Sequence, residues 1–97
     1  MRKIEKEMLE AIKTRKDWFK ANTGVFMEDA GNPYGPRAEV YLHGHNIANY
    51  WYESGELDVC EVTLARFPTT TTKSRLRALG ANVRTKAGIT YLNETPV

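Results

Sequence analysis

Between residues 2 and 21 the apolar positions recur with a helical period. Ile4, Met8, Ala11, Ile12 and Phe19 follow one another at spacings of four, three, one and seven, which keeps them on one stripe. Glu, Lys and Arg fill most other positions, no Gly or Pro interrupts, and Trp18 borders the stripe. The pattern predicts an amphipathic helix covering a sheet. Its basic residues and Trp18 would also suit a membrane surface, but the interspersed acids favour the cover. Asn22-Thr23-Gly24 ends it, the glycine suiting a left-handed closing conformation.

The period then shortens. Residues 25–27 form a short strand candidate, and 29–36, with two Gly and two Pro, must be a loop. Strand character resumes at 39–42, His43-Gly44 predicts a tight turn, and 46–52 predicts the returning strand. Ser54-Gly55 marks another turn. Residues 57–64 then alternate, with Cys60, Val62 and Leu64 on one face and Glu61 and Thr63 on the other. These segments predict an antiparallel meander of three to four strands. Phe67-Pro68 stops it, and four threonines lead into a short basic helix closed by Gly80. Residues 83–85 and 89–92 pair as a C-terminal hairpin around Lys86-Ala87-Gly88. The expected fold is a single α+β domain over residues 1–97. No βαβ alternation suggests a parallel nucleotide-binding sheet, and no internal repeat is present.

Composition adds limits. The chain is 41% apolar and 27% charged over 97 residues, ordinary for one globular domain whose small core leans on its aromatics. No apolar run approaches the roughly 20 residues of a membrane span. The N-terminus is charged where a signal peptide would be apolar, and Cys60 has no second cysteine. A cytoplasmic protein without a membrane association is expected. Charge is unevenly laid out. Residues 1–20 hold seven basic and four acidic residues, residues 21–65 one and seven, and residues 66–97 six and one. A basic final third suits an anion-facing surface.

Most candidate chemistry has a plainer structural reading. His43 and His45 could share a strand side and, with Cys60 or an acid, hold a metal; Gly44 favours a turn instead, so no metal or other cofactor is expected. Cys60 paired with a histidine could be a nucleophile, but a cysteine between Val59 and Val62 suits a small buried hydrophobe. Glu53, Glu56, Asp58 and Glu61 lack an apolar pocket that would raise a carboxyl pKa, so no catalytic role is assigned to them. Tyr50-Trp51-Tyr52 could offer a stacking platform for bases, although a small sheet needs aromatics for its core.

The threonine–basic helix carries the sharpest signal. First-turn amides have no internal partner, and Thr70, Thr71 and Thr72 add hydroxyls. Leu76 and Leu79 would pack on the sheet. Lys73 and Arg77, four apart, form an exposed stripe with Arg75 on a neighbouring side. Arg84 and Lys86 of the hairpin add two cations. Amides, hydroxyls and cations together can hold phosphate, whereas a capped and solvated surface helix is the plainer alternative.

Val40-Tyr41-Leu42-His43-Gly44, with Ile47-Ala48 after it, is followed by Thr70-Thr71-Thr72-Lys73-Ser74-Arg75-Leu76 and Ala78-Leu79, close to the pattern T-x-T-T-x-S-R-L-x-A-L. The combination resembles a small, largely uncharacterised family of tailed-bacteriophage proteins, over roughly residues 25–93. Phe67-Pro68 stands where a Trp-type residue is frequent in that family. The resemblance implies phage origin and residence in the host-cell cytoplasm, and it carries over no catalytic residue. The expected function is therefore non-enzymatic: a phage accessory protein binding nucleic acid through Lys73, Arg75, Arg77, Arg84 and Lys86. The alternative is a protein-binding inhibitor of a host factor or host defence system, anti-CRISPR-like, contacting its target through the acidic turn region or exposed aromatics. An uncovered sheet edge could also pair two copies as a homodimer.

Overall fold

The first helix, α1, runs over Lys3–Thr14. The structure, a computed structural model, describes residues 1–29, 31 and 33–97. Met8, Ala11 and Ile12 of α1 are buried, as the apolar stripe requires. The helix stops well short of Ala21 because Arg15 adopts a left-handed conformation (φ 55°), its N–H closing on the carbonyls of Ala11 and Ile12.

The chain then turns into β1 (Trp18–Lys20) and, through a tight turn at Ala21 and Asn22, both with positive φ, into β2 (Thr23–Glu28). Only one residue carries the helical stripe beyond Ile12, seven positions on. Phe19 is that residue. In β1 it points away from the core and is 64% exposed, while Trp18 faces inward opposite Val25. Of the loop foreseen over 29–36, Ala30 and Asn32 lie outside the described residues.

Strands β3 (Arg37–Leu42), β4 (His45–Trp51) and β5 (Leu57–Val59) complete an antiparallel sheet in the order β1-β2-β3-β4-β5. It is a five-stranded meander, longer than expected. His43-Gly44 forms the β3–β4 turn with positive φ at both residues, the geometry that matches the twist of a hairpin. Alternation sets the faces. Ala38, Val40 and Leu42 are buried, and Arg37, Glu39 and Tyr41 lie on the outer face. A register shift beside Val40 and Tyr41 lets both Ile47 and Ala48 reach the core. The Asn46 amide bridges this irregularity by donating to the carbonyls of Val40 and Ala48. Trp51 pairs with Arg37 on the outer face, whereas the Tyr52 hydroxyl donates to the Ile12 carbonyl of α1.

The strand expected over 57–64 ends at Val59. Helix α2 (Glu61–Arg66) follows with Cys60 as its N-cap residue. Cys60 and Leu64, which would share one face of a strand, are also one helical turn apart. Leu64 is buried against the sheet and Val62 is 66% exposed. Cys60 is therefore a helix start, its thiol 3.1 Å from the Thr63 hydroxyl, and not a mid-strand core residue.

Helix α3 (Thr70–Ala78) begins at the Thr69 cap, whose hydroxyl accepts from the Thr72 N–H, and Gly80 (φ 104°) closes it. A second antiparallel sheet follows: β6 (Val83–Lys86), β7 (Ile89–Leu92) and β8 (Thr95–Pro96). Lys86 pairs with Ile89, so the β6–β7 turn has two residues, Ala87 and Gly88, not three. The architecture is α+β, with helices on the inner face of the larger sheet. One hydrophobic cluster gathers Met8, Val25, Val40, Ile47, Leu64 and Leu76, joined by Val83 and Leu92 of the smaller sheet.

Candidate nucleic-acid interface

Helix α3 meets β6 side by side, and this junction assembles much of the cationic set. The Lys73 ammonium donates to the Thr85 hydroxyl, and Arg77 Nε donates to the Val83 carbonyl at 2.7 Å. Both acceptors are uncharged. They fix the side chains without neutralising them, which keeps the field of the two cations available to solvent. Lys86 is exposed at the end of β6. Arg84 behaves differently. It forms an ion pair with Glu94 across the small sheet (Nε to Oε2 2.9 Å) and lies 4.7 Å from the Tyr91 ring centre. Its hydrogen bond holds the Glu94 carboxyl below the usual carboxylate range.

Arg75 leaves the surface altogether. It is 5% exposed; its Nη1 donates to Glu5 Oε2 at 2.9 Å and its Nε to the Thr23 hydroxyl at 3.1 Å. Ser74 donates to the same carboxylate. Helix geometry explains the turn inward. Arg75 neighbours the buried row of Thr72 and Leu76, whereas Lys73 and Arg77 sit on the opposite flank. Thr72 is also buried, its hydroxyl held by Thr69. Thr70 is exposed and Thr71 half-buried at the helix start. Of the residues expected to face an anion, Thr70, Thr71, Lys73, Arg77, Arg84 and Lys86 reach solvent.

Nothing local in the sequence announced Glu5 as the partner of Arg75, because the two are 70 positions apart. Burial pushes the Glu5 carboxyl upward. The hydrogen bonds from Ser74, Arg75 and the Arg2 N–H, together with the charge of Arg75, outweigh it and hold the pKa below the ordinary value. A depressed carboxyl contributes stability that is complete above its unfolded value and lost as pH falls through the folded one. Urea unfolding across acidic pH should therefore show a stability loss that Glu5→Gln flattens; an unchanged slope would assign the acid sensitivity to other groups.

The acidic middle of the sequence maps onto β2 to β5 and α2, while the basic residues belong chiefly to α1, α3 and the small sheet. On the outer sheet face Phe19 and Phe26 remain exposed, and the Phe26 and Tyr41 rings meet edge-on at 5.7 Å. Among the described residues, no three His, Cys, Asp or Glu side chains converge as a metal ion would require, and no helix is long and apolar enough to cross a membrane.

The model of the Kyanoviridae Gp96 protein family matches residues 1–96. The chain belongs to this family. The match runs from α1 to β8 and so takes in both sheets. Gp96 is a phage protein family, and nothing in the match points to an enzyme. No curated protein and no solved structure matches the chain.

Proposed function

We infer that this Gp96 family member is a non-enzymatic phage accessory protein, acting in the host cytoplasm, that binds nucleic acid along the α3–β6 ridge. The carrying observation is the pair Lys73 and Arg77, each anchored to a neutral acceptor of the small sheet and each retaining its charge. Lys86 and the helix-start residues Thr70 and Thr71 extend the ridge. Arg84 contributes less, since Glu94 already answers its charge. Arg75 supports the ridge from below by fixing α3 to α1.

Phosphate binding releases counterions, so affinity for labelled single-stranded or duplex nucleic acid should fall steeply with salt. Lys73→Ala with Arg77→Ala should weaken binding to all sequences and reduce the salt slope by about two, one for each lost phosphate contact. Absence of binding at low salt, or an unchanged slope in the double variant, would overturn the reading.

The exposed Phe19 and Phe26 favour a second reading, docking of a host protein on the outer sheet face. A pull-down from host lysate with nuclease present tests it. A stoichiometric partner lost on Phe19→Ser with Phe26→Ser is the expected result, and capture independent of both residues speaks against it.

A further inference from the structure

A cleft of about 350 Å³ opens where the β3–β4 hairpin faces the segment leading into α3. Leu42 and Ile47 form an apolar wall, His45 and Phe67 an aromatic one, and Thr69 and Thr71 bring hydroxyls to it. The His45 and Phe67 rings stack at 4.5 Å between centres, 29° from parallel, and Phe67 stays 40% exposed. Its volume lies in the range of about 300–1,000 Å³ typical of sites for small organic groups. Among the described residues, no side-chain hydrogen bond engages the Thr71 hydroxyl or the His45 ring.

The cleft lies at the start of the helix that carries Lys73 and Arg77, with Thr69, Thr71 and Thr72 in its lining. Thr69, Lys73 and Arg77 are spaced four apart and so lie along one row of the helix surface. The Lys73 N–H bonds directly to the Thr69 carbonyl. A chain whose phosphates follow Lys73 and Arg77 therefore arrives at the cleft with its next base. A flat heterocycle there can extend the His45–Phe67 stack, lie against the Leu42–Ile47 wall, and meet a hydroxyl that both donates and accepts. A base inside a duplex presents no free face to such a stack.

The geometry points to a nucleobase slot at this cleft, making the protein a reader of single strands over duplexes. The inference rests on the ridge being the phosphate track, and it adds the ligand's identity: an unpaired base held by Phe67 and His45. The notch is sequence-tolerant in its stacking, since every base has a π-face.

The test compares a short single strand, its duplex, and an abasic strand of equal length, each with the full-length protein at two salt concentrations. Wild type should prefer the single strand over both. Phe67→Ala should weaken single-strand binding on the order of 5- to 150-fold, the range for losing one base–aromatic stack, with the salt slope unchanged. Phe67→Trp, which keeps a stacking face, should retain affinity and separates loss of stacking from a folding defect. Equal binding of the abasic and complete strands, with a normal salt slope, would remove the slot and leave the ridge standing. Equal binding of single strand and duplex would do the same. Loss of all salt-dependent binding would remove both.

Discussion

Arg75→Ala should cost about 3–5 kcal/mol of stability, the range for removing one partner of a buried ion pair. For a chain of 97 residues that corresponds to a fall in Tm of roughly 15–30 °C. The mutation leaves the Glu5 carboxylate 3% exposed with its cation gone, and it deprives Thr23, which is fully buried, of the Arg75 donor. The expected loss stems from that stranded charge more than from the attraction itself. A double replacement distinguishes these terms. Glu5→Leu with Arg75→Met removes both charges and refills the space, and it should recover most of the loss. Calorimetry of the two variants decides. A small loss in Arg75→Ala would mean that water reaches Glu5 readily, and the pair would then be a surface contact in energetic terms.

Leu76→Ala is the second large effect expected. Leu76 is completely buried in the cluster shared by both sheets and α1. Truncation removes apolar transfer energy and leaves a cavity, for a cost of about 2–5 kcal/mol. Leu79, which packs only at the edge of that cluster, should cost distinctly less when truncated. Urea unfolding should show lower midpoints with unchanged m values for both. Equal losses at the two positions would mean that α3 can slide to fill the Leu76 space.

Much of this architecture was legible because its signals are local. His43-Gly44, the strand-like residues 39–42, and the threonines before a basic run each specify their element from a few neighbouring residues. The end of α1 was not legible. Lys16, Asp17 and Trp18 continue a plausible helix, and only pairing with β2 makes the Trp18–Lys20 segment a strand. The same ambiguity hid α2, where Cys60 and Leu64 satisfy both periods and burial of Leu64 against the sheet decides between them. β8 escaped notice because two residues ending in proline carry almost no strand signal.

The candidate site divides along the same line. Lys73 and Arg77 lie where their spacing placed them, on an open flank of α3. Arg75 is the exception, since a guanidinium is expected outside unless something distant answers it. The cleft at Phe67 is likewise made by segments brought together only by folding. His45 and Phe67 stack although 22 positions separate them, and no spacing rule foresees the encounter.

The link between Glu5 and Arg75 also bears on the lifetime of the folded state. Both sheets pair only strands adjacent in sequence, so each can form by closing short loops. The buried pair instead joins residues 70 positions apart, and its geometry requires α1, β2 and α3 to be in place first. Contacts made after the rate-limiting barrier leave the folding rate almost untouched and raise the unfolding barrier. In stopped-flow kinetics, Arg75→Ala should therefore steepen the rate at which the native chain is lost while refolding proceeds as before. On this account the pair acts as a latch on the finished fold: what it sets is how long the protein persists once made.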